Sequence, residues 1–228
     1  MLKFLARVYF QLQILGLIFI NPSSFFDRIN QLNWYKRTHK QWFDELNLKK
    51  ESNILEIGCA TGTLTNYIAE SGFIPTGLDS SNKMINFAKT KYSKLNFKVA
   101  SALELPFENE TFDSVIAASL LNIIPNKPLL LNEMFRTTKQ GGNISVLVPS
   151  KKFEDGDLLL LQQTESTSDF SSAAMKAWHK KPPKMSAEEI SILFEQAGFT
   201  EIRSKHYLHG MVISVTATKP TSIKSYSS

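Results

Sequence analysis

Read as apolar and polar positions, the chain alternates between two periods. Short apolar runs at 53–57, up to Asp79, at 96–100, 112–118 and 143–148 are separated by stretches with apolar residues at helical spacing, from about 62, over 81–91 and over about 128–138. Strand followed by helix, repeated, predicts crossover units and a mostly parallel sheet covered by helices on both faces. Lys139-Gln140-Gly141-Gly142 marks the end of the third of these helices. SAEEISILFEQAGF then opens on Ser186 with an acidic first turn and stops at Gly198, a further helix. Two β-rich runs, TEIRSKHYL and GMVISVTATKP, joined through His209-Gly210, predict a closing antiparallel hairpin. Upstream, FFDRINQLNWYKRTHKQWFDELNL has Phe26, Ile29, Trp34, Trp42, Phe43 and Leu46 at helical spacing and predicts one or two helices leading into the core. Residues 149–185, with weak patterning and scattered aromatic, serine and proline residues, are expected to form a long irregular insertion that covers the substrate. The whole reads as an α/β, Rossmann-like, seven-stranded sheet with extra N-terminal helices.

The first 22 residues form a separate pattern. A basic start leads into an apolar run from Val8 to Ile20, shorter than the roughly 20 residues of a membrane span. Gln11 and Gln13 interrupt it, and no small-residue cleavage signature follows. Lys3, Arg7 and Gln11 recur every fourth residue as a polar stripe on an otherwise apolar helix. That suits a helix lying in a membrane interface, one closing over an apolar pocket, or one packed on the domain or a partner copy. The expected organisation is this helix over 1–22, one domain over 23–219 and a disordered tail over 220–228. A chain of 228 residues, 43% hydrophobic and 21% charged, can enclose one full core. The single cysteine, Cys59, excludes an internal disulfide and any multi-cysteine metal site, so a reducing cytosol is the natural setting. A formal charge of +5 favours an anionic partner mildly; the lysines stand in scattered pairs such as Lys151 and Lys152 rather than in a stripe.

The chemistry concentrates in NILEIGCATGTLTNYIAESG. In a parallel α/β sheet, ligands sit beyond the carboxyl ends of the strands, and the first strand's loop is the usual contact. Gly58 lets the chain turn off the strand, Ala60 keeps the surface low, and Gly62 opens a helix with exposed amides. Asp79 follows at the end of the next predicted strand, where a carboxylate can accept both hydroxyls of a ribose. A nucleoside ligand is the favoured reading. A dinucleotide is the weaker one, because Thr63 stands where a third glycine is wanted and no basic side chain is near for a pyrophosphate.

Over roughly residues 25–219 the chain resembles the class I S-adenosylmethionine-dependent methyltransferases, in the group that contains the ubiquinone and menaquinone biosynthesis enzymes. ILEIGCATGTLT resembles the family's first motif and GLDSSNKMINFAK its second. ALELPFENETFDSVIAASLLNII resembles the next block, and EMFRTTKQGGNISVLVP the helix-to-strand block. The resemblance implies S-adenosylmethionine as cofactor. Glu56, Gly58, Cys59, Ala60 and Gly62 would line its methionine part, Asp79 would hold the ribose, Ser80 and Met84 would flank the adenine, Ala102 would offer a backbone amide, and Ala118 and Ser119 would face the sulfonium. Two positions depart from the pattern: the first motif's middle glycine is Ala60, and the acid that usually precedes the third block's alanine is Ser101, whose hydroxyl accepts more weakly than a carboxylate.

Methyl transfer from a sulfonium needs alignment and exclusion of water more than a catalytic dyad, so catalytic residues are hard to read. His206 and His209 fall in the hairpin, and His39, among basic residues, is expected at the surface. His179, beside Trp178 in the covering segment, and Tyr35, on the N-terminal helical region, are the candidates that remain. Asp155 and Asp157 around Gly156 read as a turn, and no metal is expected. No Asn-Pro-Pro-aromatic motif follows the fourth strand, and Cys59 belongs to the cofactor loop, so nucleic acid is not the expected acceptor. The expectation is methyl transfer to a small apolar or lipid-like acceptor; the alternative is an inactive cofactor-binding or scaffold protein of the same fold.

Overall fold

The computed structural model describes residues 21–165 and 168–221. The helix expected over 1–22 and the tail over 220–228 therefore lie almost wholly outside the described residues.

Two helices, α1 (Pro22–Asn30) and α2 (Asn33–Asp44), lead into the sheet. Asn21 caps α1 by accepting the Ser24 amide, with Pro22 in the first turn, where its missing N–H costs nothing. The alternation follows as β1 (Asn53–Ile57), α3 (Thr63–Glu70), β2 (Ile74–Asp79), α4 (Asn82–Lys91), β3 (Asn96–Val99), β4 (Phe112–Ala118), α5 (Lys127–Thr137) and β5 (Thr138–Pro149). After two further helices, α6 (Asp155–Glu165) and α7 (Asp169–Lys180), the chain ends with α8 (Ala187–Gln196), β6 (Thr200–Tyr207) and β7 (Val212–Thr218). Ser186 and Glu189 form a reciprocal capping box at α8.

The strands make one seven-stranded sheet in the order β3-β2-β1-β4-β5-β7-β6. β1 to β5 are parallel to one another, and β7 inserts antiparallel between β5 and β6. The order reverses between β1 and β4, which opens a crevice at their carboxyl ends. Alternation along the strands assigns the two faces. Leu55, Ile57, Val115, Ala117, Ile144 and Val146 pack on one side against α5 and α8. Ile54, Ile116 and Leu147 face the other side, under Trp34, Trp42 and Phe43 of α2, Leu64 and Ile68 of α3, and residues of α6 and α7.

Two expectations need correction. The strand expected at 143–148 starts earlier: β5 begins at Thr138, directly after α5, and runs through Lys139-Gln140-Gly141-Gly142. The glycines serve a bulge, since register shifts between Phe112 and Ser114, Gly141 has φ +73°, and a Cβ on Gly142 would lie 2.7 Å from the Asp113 carbonyl oxygen. Residues 149–185 are not irregular but carry α6 and α7. Their signal is blurred by the unbroken run Leu158 to Leu161, of which only Leu158 and Leu161 are buried while Leu159 and Leu160 stay 64% and 56% exposed.

The N-terminal helices are fastened to this frame by polar atoms on buried aromatic groups. Trp42 is fully buried, and its indole N–H donates to Ser145 Oγ of β5 at 2.9 Å. Trp34 donates likewise to Ser171 Oγ of α7 at 2.9 Å, and the Tyr207 hydroxyl donates to Glu45 Oε2 at 2.7 Å. Truncation of Trp42 to alanine is expected to cost about 3–5 kcal/mol in urea unfolding. Trp42→Phe, which keeps most of the apolar bulk, should cost far less because Ser145 retains Thr216 Oγ1 as a partner. Equal losses in the two variants would contradict this account.

Candidate active site

A cavity of about 570 Å³ lies at the carboxyl ends of β1, β2 and β4. Its floor is the turn after β1. The amides of Gly58 and Cys59 both donate to the Leu78 carbonyl, at 2.7 and 3.0 Å, drawing the chain across the end of β2. Gly58, Ala60 and Gly62 all adopt left-handed backbone, with φ +77°, +45° and +76°. At Gly62 glycine is required twice, because a Cβ there would lie 2.6 Å from Phe97 Cζ. Ala60 carries a Cβ in a conformation that costs an L-residue about 1–2 kcal/mol. Asp79 holds it there: its Oδ2 accepts the Ala60 amide at 2.9 Å, and its Oδ1 accepts the Ser81 amide at 2.9 Å. Each carboxylate oxygen keeps a further lone pair for a ligand hydroxyl.

Glu56 lies one residue before the end of β1, on the face beneath α2 and α3. It is 4% exposed and accepts the Thr65 hydroxyl at Oε2. No ion pair among the described residues involves it. Burial pushes its carboxyl up to about 8. Burial also raises the Cys59 thiol, with Glu56 and Asp79 adding to the effect, so that side chain is no nucleophile.

The helix α2 supplies the cavity's side wall with Tyr35, Lys36, His39 and Lys40. Burial, with Glu56 nearby, raises the Tyr35 phenol, whose ring stacks on His39 at 4.1 Å between centroids. His39, expected at the surface, is 6% exposed. The i,i+4 spacing of Tyr35 and His39 puts both on the inner face with Trp42, and local basic residues concealed that periodicity. His39 Nδ1 lies 2.8 Å from the Tyr35 carbonyl, which can only accept, so Nδ1 carries the proton. Burial pushes the ring down to about 4, and it is neutral near pH 7.

The cavity's far wall is formed by Ser80, Met84, Ser101, Ala102 and Leu103. Ser101 Oγ accepts the Leu103 amide at 3.1 Å, folding its own loop around Ala102. Ala118 and Ser119 close the end of β4; Ser119 has φ +53°, and its amide donates to the Leu147 carbonyl at 2.7 Å. Next to them stands an apolar wall of Leu120, Ile123, Ile124 and Pro125, joined by Phe26 of α1. Asn30 of α1 donates from Nδ2 to Thr61 Oγ1 at 2.9 Å, tying that helix to the floor.

All the sequence-predicted cofactor residues but Gly62, which lies behind the turn against Phe97, thus line one hollow, together with Tyr35. His179 does not. Its Nε2 meets Asp155 Oδ1 at 2.9 Å, a tie between the start of α6 and the end of α7. Asp157 accepts the Glu154 amide at 3.0 Å, and no metal-ligating cluster occurs among the described residues. Among the described residues none of 149–185 lines the cavity; that segment braces α2, with Trp178 4.8 Å from the Tyr35 ring. Sequence reasoning missed Lys36, Lys40 and Thr63, whose only signal is their position on helices that begin or end beside the floor.

A nucleoside joined to a cationic amino acid fits this lining. The Asp79 carboxylate has lone pairs free for ligand hydroxyls, the wall from Ser80 to Leu103 borders it, and buried Glu56 has no ion-pair partner among the described residues. Of the five buried, unpartnered side-chain polar atoms among the described residues, His39 Nε2, Thr63 Oγ1 and Ser119 Oγ belong to cavity-lining residues, as expected where a polar ligand completes the bonding.

The comparisons agree. The family model described as methyltransferase domain matches residues 48–205. The chain is 28% identical to a demethylmenaquinone methyltransferase of Bacillus cereus (strain B4264), covering 90% of this chain and 95% of that protein. It is 27% identical to the Bacillus pumilus protein of the same description, over 82% of this chain and 88% of that one. A solved S-adenosylmethionine-dependent methyltransferase from Thermotoga maritima shares the fold with TM-score 0.66, 21% identity and coverage of 91% and 98%. Another from Aquifex aeolicus gives TM-score 0.61, 19% identity and coverage of 79% and 89%.

Ala60→Gly is expected to raise stability by about 0.5–1 kcal/mol, relief of left-handed strain being offset partly by unfolded-chain entropy; a loss of stability in thermal unfolding would refute the strain. For Glu56, the folded carboxyl holds its proton to about 8 whereas the ordinary value is 4.5, so its contribution is present at low pH and lost as pH rises through about 8. Glu56→Gln should therefore gain stability relative to the parent between pH 5 and 8.5. Parallel profiles by urea unfolding would show that the burial cost is absent.

Proposed function

This chain belongs to the methyltransferase-domain family and uses S-adenosylmethionine, and from that premise we propose that it methylates a small, apolar, quinone-like acceptor by in-line displacement. The observation that carries this reading is the division of one cavity into a carboxylate-bearing floor, with Glu56 and Asp79, and an apolar wall from Leu120 to Pro125. Phe26 and Ile123 on that wall remain 44% and 54% exposed. Two large apolar side chains open to one polar-floored cavity suit a ligand that is itself apolar. The Bacillus relatives are by description demethylmenaquinone methyltransferases, and that acceptor class agrees with the wall.

When bound, S-adenosylmethionine supplies a methyl group already activated by the sulfonium charge. The work left to the protein is to hold, align and exclude water. Asp79 holds the ribose hydroxyls while it staples Ala60, so the residue that grips the donor also shapes the floor. Gly58 and Gly62 let backbone approach the donor closely. Ser80 and Met84 flank the base, and the Ala102 amide addresses its edge. Glu56, on which burial keeps a proton, would give it up beside the donor's positive charge, and the carboxylate so formed would offset that charge. Ala118 and Ser119 border the reacting centre, and the apolar wall orients the acceptor against it while keeping water out.

Calorimetric titration with S-adenosylhomocysteine tests the donor half. Binding is expected for the parent, and Asp79→Ala, checked for native circular dichroism, should bind about 10- to 100-fold more weakly. Labelled methyl donor offered with demethylated quinones, phenols and lipid extracts tests the acceptor half, with label expected in the quinone fraction. Absence of binding, or label only in polar products, would defeat the corresponding half.

A further inference from the structure

We propose that His39 is the receptor for the α-amino group of the methyl donor, its Nε2 accepting a hydrogen bond from the ammonium beside the Glu56 carboxylate. This rests on the donor placement proposed above and assigns a binding role to a residue which that placement leaves idle.

The ring's hydrogen bonding leaves one valence open. Nδ1–H is committed to the Tyr35 carbonyl at 2.8 Å, so the Nε2 lone pair points away from the helix backbone. Nε2 is buried, without a partner among the described residues, on a side chain that is 6% exposed and lines the cavity. A buried acceptor left bare costs about 1–3 kcal/mol, and a ligand donor would recover it. The ring is fixed by aromatic neighbours: Tyr35 stacks at 4.1 Å, Trp178 lies near-parallel at 6.1 Å, and Trp42 stands edge-on at 6.4 Å. The orientation is therefore set before a ligand arrives, which limits the entropy lost on binding.

Its position favours the amino-acid end of the donor over the acceptor. Tyr35, stacked on His39, is close enough to Glu56 to feel its charge. The ribose-binding carboxylate and the base wall run from Asp79 to Leu103, and the apolar wall begins after Ser119. A ring held neutral by burial is a weak proton acceptor for chemistry but a sound partner for a charged N–H. Glu56 has no ion-pair partner among the described residues, and an ammonium group between it and His39 would draw off its proton and satisfy both. Lys36 and Lys40, on the same helix and lining the same cavity, suit the donor's carboxylate. Helix α2 would thus read both charges of the amino acid.

The test compares S-adenosylhomocysteine with its des-amino analogue, in which hydrogen replaces the amino group, by calorimetry on the full chain. His39→Phe preserves the aromatic stack and removes the acceptor; His39→Gln returns an acceptor at nearly the same reach. We expect His39→Phe to weaken S-adenosylhomocysteine binding about 10- to 100-fold while binding of the analogue is unchanged, and His39→Gln to recover part of the loss. Equal weakening of both ligands, or of neither, overturns the inference. So does His39→Phe binding S-adenosylhomocysteine normally but transferring methyl slowly, which would place the ring on the acceptor. A parent protein that binds neither ligand would remove the donor reading as well, separating that failure from one confined to His39.

Discussion

The hydrogen bond from the Ala60 amide to the Asp79 carboxylate connects the two halves of the site. It joins the turn after β1 to the end of β2, holds an alanine in a left-handed conformation, and fixes the carboxylate that faces the cavity. A parallel sheet supplies the crevice for topological reasons, but only a floor pinned in this way gives it a defined shape. The same pinning brings Cys59 beneath the floor, where it packs with Phe97 and Ala88 rather than meeting the ligand with its thiol. Shape here comes from backbone and one carboxylate; the larger side chains fill in behind them.

Electrostatics divides the cavity further. Among the described residues, buried Glu56 has no ion-pair partner and buried His39 has no partner for Nε2. Each is unfavourable alone, and both lie under the same helix. Retaining two such groups in a domain whose stability is a small difference between large terms makes sense where a ligand completes them. Beyond Ser119 the lining turns apolar, so one hollow has an acidic end and an apolar end.

Much of this was legible in the sequence because it depends on short-range pattern. The spacing of Gly58, Ala60, Gly62 and Asp79 is a backbone requirement, and the strands at 53–57 and 112–118 declare themselves as short apolar runs. The errors have physical causes. His39 reads as exposed because charged neighbours share its helix, whereas the stacking that buries it comes from Tyr35 on its own helix and from Trp178, far away in sequence. His179 reads as a candidate base from its place beside Trp178, yet it pairs with Asp155 outside the cavity. Residues 149–185 read as loop because Leu158 to Leu161 lack a period, one pair facing in and the other out. Long-range packing settled all three.

Helix α1 has no buried residue of its own. It is moored by Asn30 to Thr61, by Asp27 to Lys91 at 2.5 Å, and by Arg28 over the Phe170 ring at 4.0 Å. Phe26 and Asn30 also help to enclose the hollow. Because Phe26 belongs to the apolar wall and Asn30 is tied to the turn after β1, any tilt of α1 reshapes both ends of the lining at once.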